Sequence, residues 1–356
     1  MGIMKNYEEI AKEKFEKLKT KKDVIILGVE SSCDETSVSI VKNGREILSN
    51  VVATQIEIHR RFGGVVPEVA SRNHVLALNP VFDEALAKAG IPASEIDAIA
   101  VTYGAGLVGA LLVGVNFAKA LAYTLQIPLI AVSHIQGHIS AYYLSHINLE
   151  PPFMCLMVSG GHTAILKVND YISQEMIGST IDDAVGEAFD KVARVLGLPY
   201  PGGVEIDRLA KDGENNMTFI KHQILPDSFD FSFSGIKTAV INFLNTHKQK
   251  GIDIKKEDVC ASFQTLVVEE LSSKAVKACL KTGLKKLVVA GGVGANSFLQ
   301  KRLKELCERN EIELFYPDLK LCTDNAAMIA SAGYYYLKKG KGLAGLELTA
   351  KPVVGL

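Results

Sequence analysis

The strongest constraint on the fold of this chain is a repeated pattern of apolar, β-rich runs that end in polar or glycine-rich residues. Residues 24–29 form a continuous apolar run, which suits a strand buried on both faces. Residues 153–166 contain two β-rich runs that flank a Ser-Gly-Gly turn, and the run at 286–290 ends in a Gly-Gly-Val-Gly segment. This recurrence predicts two related halves.

Helical stretches at 73–89, 114–125 and 262–281 lie between and after these runs, and the alternation predicts an α/β architecture. With 356 residues, 48% of them hydrophobic, the chain can bury a full core and divide into two domains. We expect a helical N-terminal extension at 1–22, treated as an appendage. A first lobe then covers 23–133 and a second covers 134–356, with helical insertions and a last helix that could return to the first lobe.

Composition narrows the class of protein. The formal net charge of −1 excludes a global basic field, so nucleic acid would be bound by a local patch or through a partner protein. We expect a cytoplasmic protein with no membrane segment, because no apolar run reaches about eighteen residues and 1–22 lacks the apolar core of a signal peptide. The six cysteines include no Cys-x-x-Cys pair, which argues against a zinc ribbon or a disulfide framework.

Three glycine-rich segments are candidates for holding an anionic ligand. Residues 159–161 and 291–296 each follow a predicted strand, whereas 104–109 precedes a helix that we expect to begin near Leu111. Exposed backbone N–H groups in such turns can cradle an anion, although glycine also serves tight turns and close packing. Together they predict a nucleotide-like ligand in a cleft between the lobes.

A histidine pair is the clearest candidate for metal binding. His134 and His138 lie four residues apart on a helix-compatible stretch, 134–144, that follows the predicted strand 129–132, so both imidazoles project from one face. The pair could hold one metal ion, or it could be a hydrogen-bonded structural pair. It lacks the Glu of a protease His-Glu-x-x-His motif, and a third ligand must come from elsewhere.

Seven segments, in order, closely resemble the bacterial TsaD family, and the resemblance spans about 24–339. They are GVESSCDET at 28–36, FGGVVPE at 62–68, MVSGGHT at 157–163, DDAVGEAFDK at 182–191, YPGG at 200–203, FSFSGIK at 231–237 and CTDN at 322–325. The resemblance implies a two-lobed actin/sugar-kinase-like (ASKHA) fold with a duplicated core and an interlobe cleft.

The resemblance also implies an activity. TsaD proteins transfer a threonylcarbamoyl group from threonylcarbamoyl-adenylate to N6 of the adenosine beside the anticodon, in tRNAs that read codons beginning with A. The product is N6-threonylcarbamoyladenosine. The implied partners are tRNA, a TsaB-like paralogue that pairs through the N-terminal lobe, and a TsaE-like ATPase.

The family's metal ligands fall on His134, His138 and Asp324, which implies one divalent ion per chain. Two neutral imidazoles and one carboxylate suit Fe or Zn and leave coordination positions open for substrate. Such an ion could act as a Lewis acid at the carbamoyl carbonyl. Asp324 could also cap the helix that follows it, and the two roles can coexist.

The family pattern assigns the adenylate to nine residues of the second lobe: Met157, Val158, Ser159, Gly160, Gly161, Asp190, Gly203, Asp207 and Asn296. Backbone amides of 157–161 would line the site, while Asp190 and Asp207 would accept hydrogen bonds from hydroxyl groups. Asp190 also stands at helical spacing from Glu187 and beside Lys191, so it could instead join a solvated ion pair.

Asp34 and Glu35 are candidate catalytic residues directly after the first strand. A carboxylate with a pKa raised towards neutral could accept the proton of the attacking amine. Alternatively, the polar side chains of this segment satisfy backbone groups in a turn.

Three positions depart from the family pattern: Ala105 and Val204 replace prolines, and Gln136 replaces a Glu between the two histidines. We expect them to affect catalytic efficiency rather than fold. Other interpretations are a non-catalytic paralogue that binds adenylate, a kinase or carbamoyltransferase of the same fold, and a metalloprotease. The kinase does not explain the metal ligands, and the protease lacks its glutamate base.

Overall fold

The computed structural model describes residues 6–219, 228–316 and 318–354. The chain divides into two compact units, the first comprising 1–150 and 323–356 and the second 151–322. Residues 1–5 of the predicted extension, together with 220–227, 317 and 355–356 of the predicted second lobe, lie outside the described residues.

Unit 1 contains a six-stranded sheet. Its strands are β1 (Ile25–Glu30), β2 (Glu35–Lys42), β3 (Glu46–Thr54), β4 (Ala98–Gly104), β5 (Leu129–Ser133) and β11 (Leu343–Ala344). Their order is β11-β5-β4-β1-β2-β3. Its helices are α1 (Tyr7–Leu18), α2 (Ile56–Arg60), α3 (Pro67–Ala89), α4 (Val108–Leu125), α5 (His134–Ser145) and α12 (Ala326–Lys338), with a 3-10 turn at Ala93–Glu95.

Unit 2 contains a five-stranded sheet. Its strands are β6 (Phe153–Val158), β7 (Thr163–Asp170), β8 (Ser173–Ser179), β9 (Lys286–Ala290) and β10 (Glu313–Phe315). Their order is β10-β9-β6-β7-β8. Its helices are α6 (Val185–Val195), α7 (Gly202–Ala210), α8 (Ser234–Gln249), α9 (Lys256–Thr282), α10 (Ser297–Arg309) and α11 (Leu319–Cys322), with a 3-10 turn at Gly292–Ala295.

The two sheets share one connectivity. In unit 1, β1 pairs antiparallel with β2, β2 with β3, and β1 lies parallel to β4, which lies parallel to β5. In unit 2, β6, β7 and β8 form the same meander, and β6 lies parallel to β9, which lies parallel to β10. The prediction of a duplicated α/β core is therefore confirmed.

The compact units divide the chain differently from the predicted lobes. The first boundary lies between Glu150 and Pro151 rather than after residue 133, because α5 packs against α12 within unit 1. Helix α12 returns to unit 1, where it also packs on β1. Gly28 allows this approach, since a Cβ at that position would collide with the backbone of Ala326.

Helix α1 is part of the core of unit 1 rather than an appendage. Tyr7, Ala11, Phe15 and Leu18 recur at helical spacing, and all four are buried. The Tyr7 hydroxyl donates a hydrogen bond to the carbonyl oxygen of Ile127, at 3.0 Å.

Among the described residues, one helix is long and apolar enough to cross a membrane by length and composition alone. This helix is α4, with a mean hydropathy of 1.5 over 18 residues. The sequence-based expectation considered only uninterrupted apolar runs. Asn116 and Lys119 interrupt the apolar residues of α4. In the structure α4 packs against α3 and β4, and the ring of Phe117 meets that of Phe82 edge-on at 5.7 Å.

Candidate functional site

Three predicted metal ligands lie together in unit 1. Helix α5 begins directly after β5, so His134 is its first residue and His138 follows one turn later. Asp324 stands just before α12, whose N-cap Asn325 accepts a hydrogen bond from the amide of Met328. Because α5 and α12 pack against each other, the two imidazoles meet the carboxylate.

The donor atoms of this cluster converge on one point. The Nε2 atoms of His134 and His138 are 3.1 Å apart. Asp324 Oδ1 lies 3.2 Å from Nε2 of His138 and 3.5 Å from Nε2 of His134. Both histidines are buried, at 6% and 3% exposure. Two imidazole nitrogens and one carboxylate oxygen in this arrangement fit a single divalent ion.

Glu30, which is not among the predicted site residues, orients His134 by contacting Nδ1, the ring nitrogen that lies away from Asp324. Its Oε2 lies 3.2 Å from Nδ1 of His134, and the hydroxyl of Ser32 lies at the same distance. Glu30 itself accepts hydrogen bonds from Thr102 Oγ1 and from the amide of Ser32, each at 2.6 Å. A carboxylate at the far nitrogen of a histidine fixes the ring so that its other nitrogen faces a metal.

Glu30 and His134 shift each other's pKa. Burial opposes ionisation of Glu30, but attraction to His134 and the hydrogen bonds from His134 and Thr102 hold the pKa of Glu30 below its usual value. Burial would lower the pKa of His134, yet the charges of Asp324 and Glu30 raise it to about 9 in the metal-free protein. Below this pH, binding of a metal at Nε2 would displace a proton from His134.

The predicted catalytic acids lie in a turn beside this cluster. Asp34 belongs to the turn between β1 and β2, and Glu35 is the first residue of β2. Glu35 is 8% exposed, and its Oε1 accepts a hydrogen bond from Thr54 Oγ1 at 3.0 Å. Its buried Oε2 has no hydrogen-bond partner among the described residues.

Both acids are harder to ionise than free carboxyl groups. Burial, reinforced by the charge of Asp34, raises the pKa of Glu35 from 4.5 to about 8. Burial and the charge of Asp324 raise the pKa of Asp34. A carboxylate whose pKa lies near neutral is suited to general-base chemistry.

The raised pKa of Glu35 predicts a pH-dependent stability. The folded state holds the proton more tightly than the unfolded chain, so this contribution is fully present below pH 4.5 and is lost as pH rises to about 8. In metal-free wild type, Glu35 should make the free energy of unfolding decline by on the order of a few kcal/mol between these two pH values. We expect Glu35→Gln to remove this decline. Chemical denaturation at pH 5, 7 and 9 measures the difference, with the exposed Glu46→Gln as control. Identical pH profiles for wild type and Glu35→Gln would contradict the assignment.

In unit 2, the Ser-Gly-Gly turn joins β6 to β7 as predicted. Met157 and Val158 belong to β6, so their backbones pair within the sheet, and the amide of Ser159 donates to the carbonyl oxygen of His162 at 2.8 Å. Gly160 and Gly161 are exposed, and within the described part of the chain no hydrogen bond engages their amides. Of the predicted run, these two glycines are the ones that are exposed.

The other predicted ligand residues of unit 2 join its helices. Asp190 Oδ1, on α6, accepts a hydrogen bond from the amide of Gly202 at 2.7 Å, at the start of α7. Gly203 follows in the same turn of α7. Lys191, the basic neighbour considered as an ion-pair partner of Asp190, pairs with Glu187, since Lys191 Nζ lies 2.5 Å from Glu187 Oε1.

Asp207 and Asn296 meet at the N-terminus of α10. Asp207 accepts hydrogen bonds from the hydroxyl and the amide of Ser297, at 2.9 and 3.3 Å. Asn296 caps α10 by accepting from the amide of Leu299, and its amide group donates to Gln264 Oε1 at 2.8 Å. Both side chains therefore have structural partners.

The three departures from the family pattern occupy different environments. Gln136 is buried on α5 between the two histidines, and Ala105 is buried after β4. Val204 is 64% exposed on α7. Gln136 lies between His134 and His138 on α5, so its replacement of a Glu removes a negative charge from the helix that carries the two histidines.

The duplicated α/β units define a protein of the actin/sugar-kinase-like fold class. The His-His-Asp cluster is its candidate metal centre. HypF from T. kodakarensis aligns with a TM-score of 0.61 at 14% identity, over 92% of this chain and 49% of that one. Component A of the Acidaminococcus fermentans 2-hydroxyglutaryl-CoA dehydratase aligns with a TM-score of 0.51 at 15% identity, over 88% and 99%. These likenesses confirm the predicted fold.

Sequence relatives give the family. The model for TsaD, tRNA N6-adenosine threonylcarbamoyltransferase, matches residues 46–331. A Clostridium perfringens protein of that name is 56% identical over 329 residues, 92% of this chain and 97% of that protein. A Clostridioides difficile protein of that name is 56% identical over 320 residues, covering 90% and 95%. The chain belongs to the TsaD family and is a transferase, as its motifs predict.

Proposed function

We propose that this chain transfers a threonylcarbamoyl group from threonylcarbamoyl-adenylate to N6 of the adenosine beside the anticodon, in tRNAs reading codons that begin with A. Family membership supports the reaction class. The observation that carries the proposal is the convergence of His134, His138 and Asp324 within one unit that also holds the acids Asp34 and Glu35. A kinase of this fold would not require such a cluster.

The ion at this centre is proposed to be Fe or Zn, held by His134, His138 and Asp324. When bound, it would supply Lewis acidity towards a carbonyl oxygen of the substrate. The chain's own contribution is orientation: Glu30 holds Nδ1 of His134, so that Nε2 of this ring faces Asp324. Burial of the two histidines limits competition from water.

The proton of the attacking amine requires an acceptor. In the proposed reaction, adenosine N6 forms a bond to the carbamoyl carbon, the bond from that carbon to the phosphate oxygen breaks, and AMP leaves. Asp34 or Glu35 accepts the proton that N6 loses. The unpartnered Oε2 of Glu35 and its pKa of about 8 favour Glu35 for this role.

The adenylate is proposed to bind unit 2. The exposed amides of Gly160 and Gly161 are suited to an anionic group, and the N-terminus of α6 lies beside them, because the amide of Gly186 donates to the carbonyl oxygen of Ser159. Met157, Val158 and Gly203 would shape the site. Asp190, Asp207 and Asn296 would share their existing hydrogen bonds with nucleoside groups.

A TsaB-like paralogue, a TsaE-like ATPase and tRNA are the proposed partners, and the cytoplasm is the proposed location. An exposed apolar strip on unit 1 supports a protein partner: Val75, Leu76, Val108 and Leu112 are 61%, 74%, 41% and 36% exposed. Helices α3 and α4 run side by side there, since a Cβ at Gly109 would meet the Ser71 hydroxyl. Exposed patches of this kind often mark interfaces.

The test is a transfer assay with synthetic threonylcarbamoyl-adenylate, unmodified tRNA, TsaB and TsaE, read by mass spectrometry of the nucleosides. We expect N6-threonylcarbamoyladenosine and release of AMP. Tight adenylate binding without product would instead favour the non-catalytic paralogue. Phosphoryl or carbamoyl transfer to a small molecule would favour the other enzymes of this fold.

A further inference from the structure

Both ring nitrogens of His74 form hydrogen bonds with the turn that carries Asp34 and Glu35. The residue lies on α3 and is fully buried. Its Nε2 is 2.9 Å from the carbonyl oxygen of Cys33, and its Nδ1 is 2.7 Å from Oγ1 of Thr36. The ring therefore bridges the residues on either side of the acid pair.

These contacts define one tautomer of the neutral ring. A carbonyl oxygen can only accept, so Nε2 carries the hydrogen and donates it to Cys33. Nδ1 then accepts the hydroxyl hydrogen of Thr36. Burial lowers the pKa of His74, which favours this neutral form, although the nearby charges of Glu30 and Asp34 oppose the shift.

Two carbonyl groups of the turn also accept hydrogen bonds from outside it. The carbonyl oxygen of Ser32 accepts from the amide of Leu107 at 2.8 Å, and the carbonyl oxygen of Asp34 accepts from the amide of Gln55 at 3.0 Å. From Glu35 onward, pairing of β2 with β3 fixes the backbone. Within the described part of the chain, the His74 ring joins Cys33 to Thr36 across the acid pair.

We propose that His74 is a positioning residue for the transfer reaction, acting through the turn on the Asp34 and Glu35 carboxylates without touching substrate. This inference rests on the proposed function. Misplacing a catalytic group by about 1 Å can cost about 100-fold in rate. Loss of the ring should therefore lower kcat while leaving adenylate binding, which is assigned to unit 2, unchanged.

The test compares four variants in the complete transfer assay. His74→Phe removes both hydrogen bonds, Thr36→Val removes the hydroxyl partner at constant shape, and His74→Gln keeps a donor for the Cys33 carbonyl. Val81→Ala is the matched control, because Val81 is buried on the same helix and packs in the apolar core. Hydrogen exchange of the 31–36 amides is measured in parallel, as a readout independent of activity.

We expect His74→Phe to lower kcat about 100-fold with KM for the adenylate within about threefold of wild type. His74→Gln should recover about tenfold of this loss, and Thr36→Val should lie between Gln and Phe. Exchange at 31–36 should accelerate in His74→Phe and remain unchanged in Val81→Ala. If His74→Phe does not fold, Thr36→Val and His74→Gln carry the same comparison.

Unchanged kcat in Thr36→Val and His74→Phe would overturn the inference and leave the proposed function standing. An equal loss of kcat in Val81→Ala would also overturn it, because the effect would then follow from general destabilisation. Absence of transfer by the wild type would overturn both proposals together.

Discussion

Replacing His138 with Ala is expected to abolish specific metal binding by this protein. The substitution removes one of three converging ligand atoms. His134 and Asp324 then supply only two, which are too few for tight binding. Changes in residues that only support a ligand typically cost 10–100-fold in metal affinity, so loss of a ligand should cost more than about 100-fold. Titration of metal-free protein with Zn²⁺ or Fe²⁺ under exclusion of air measures the affinity.

His146→Ala provides the matched control for this prediction. His146 follows the same helix and is only half-buried, but it is not a member of the three-residue cluster. We expect its variant to bind metal like the wild type. Equal affinities for wild type and His138→Ala would contradict the assignment of the centre.

The second large effect is expected from the acid pair. If one carboxylate accepts the amine proton, its amide variant should transfer about 10²- to 10⁴-fold more slowly, the usual range for a general base. We expect Glu35→Gln to show the larger loss, because Glu35 has the unpartnered oxygen and the pKa of about 8. Single-turnover transfer by Asp34→Asn and Glu35→Gln, with metal content measured in the same samples, separates this loss from loss of the ion.

Full transfer activity in both amide variants would remove the general-base proposal. A loss confined to Asp34→Asn would move the role to the neighbouring acid. Glu57→Gln, on the exposed face of α2, is the control and should retain wild-type rate.

The sequence predicted those features of the fold that depend on short-range pattern. Continuous apolar runs located β1, β6 and β9, and their glycine-rich ends gave the turn that follows β6. Spacing alone placed the two histidines on one face of α5. These signals suffice because strand burial and helical periodicity are encoded within a few residues.

Features that depend on packing between distant segments were harder to predict. Asp324 joins the histidines through the packing of α12 on α5, nearly two hundred residues away along the chain, and only the family resemblance indicated it. Because of the same packing, α5 belongs to unit 1, and the first segment of that unit ends at Glu150. The burial of α1 likewise depends on a tertiary contact with Ile127.

The groups that support the site were missed for a related reason. Glu30 ends a buried strand, and a lone acid in that position is a weak signal until its partner His134 is placed beside it. His74 occupies an ordinary helical position on α3, and its significance lies in the Cys33 and Thr36 atoms that it reaches. Sequence patterns report the period of an element but not which distant backbone atom a side chain contacts.

Metal-dependent transfer is tested most directly by measuring threonylcarbamoyl transfer to tRNA with metal-free protein, before and after addition of Fe²⁺ or Zn²⁺. Wild type and His134→Ala are compared. The adenylate, TsaB and TsaE are supplied throughout. We expect the metal to restore product formation in the wild type and not in the variant. Equal product from metal-free and metal-loaded wild type, or from His134→Ala, would contradict it.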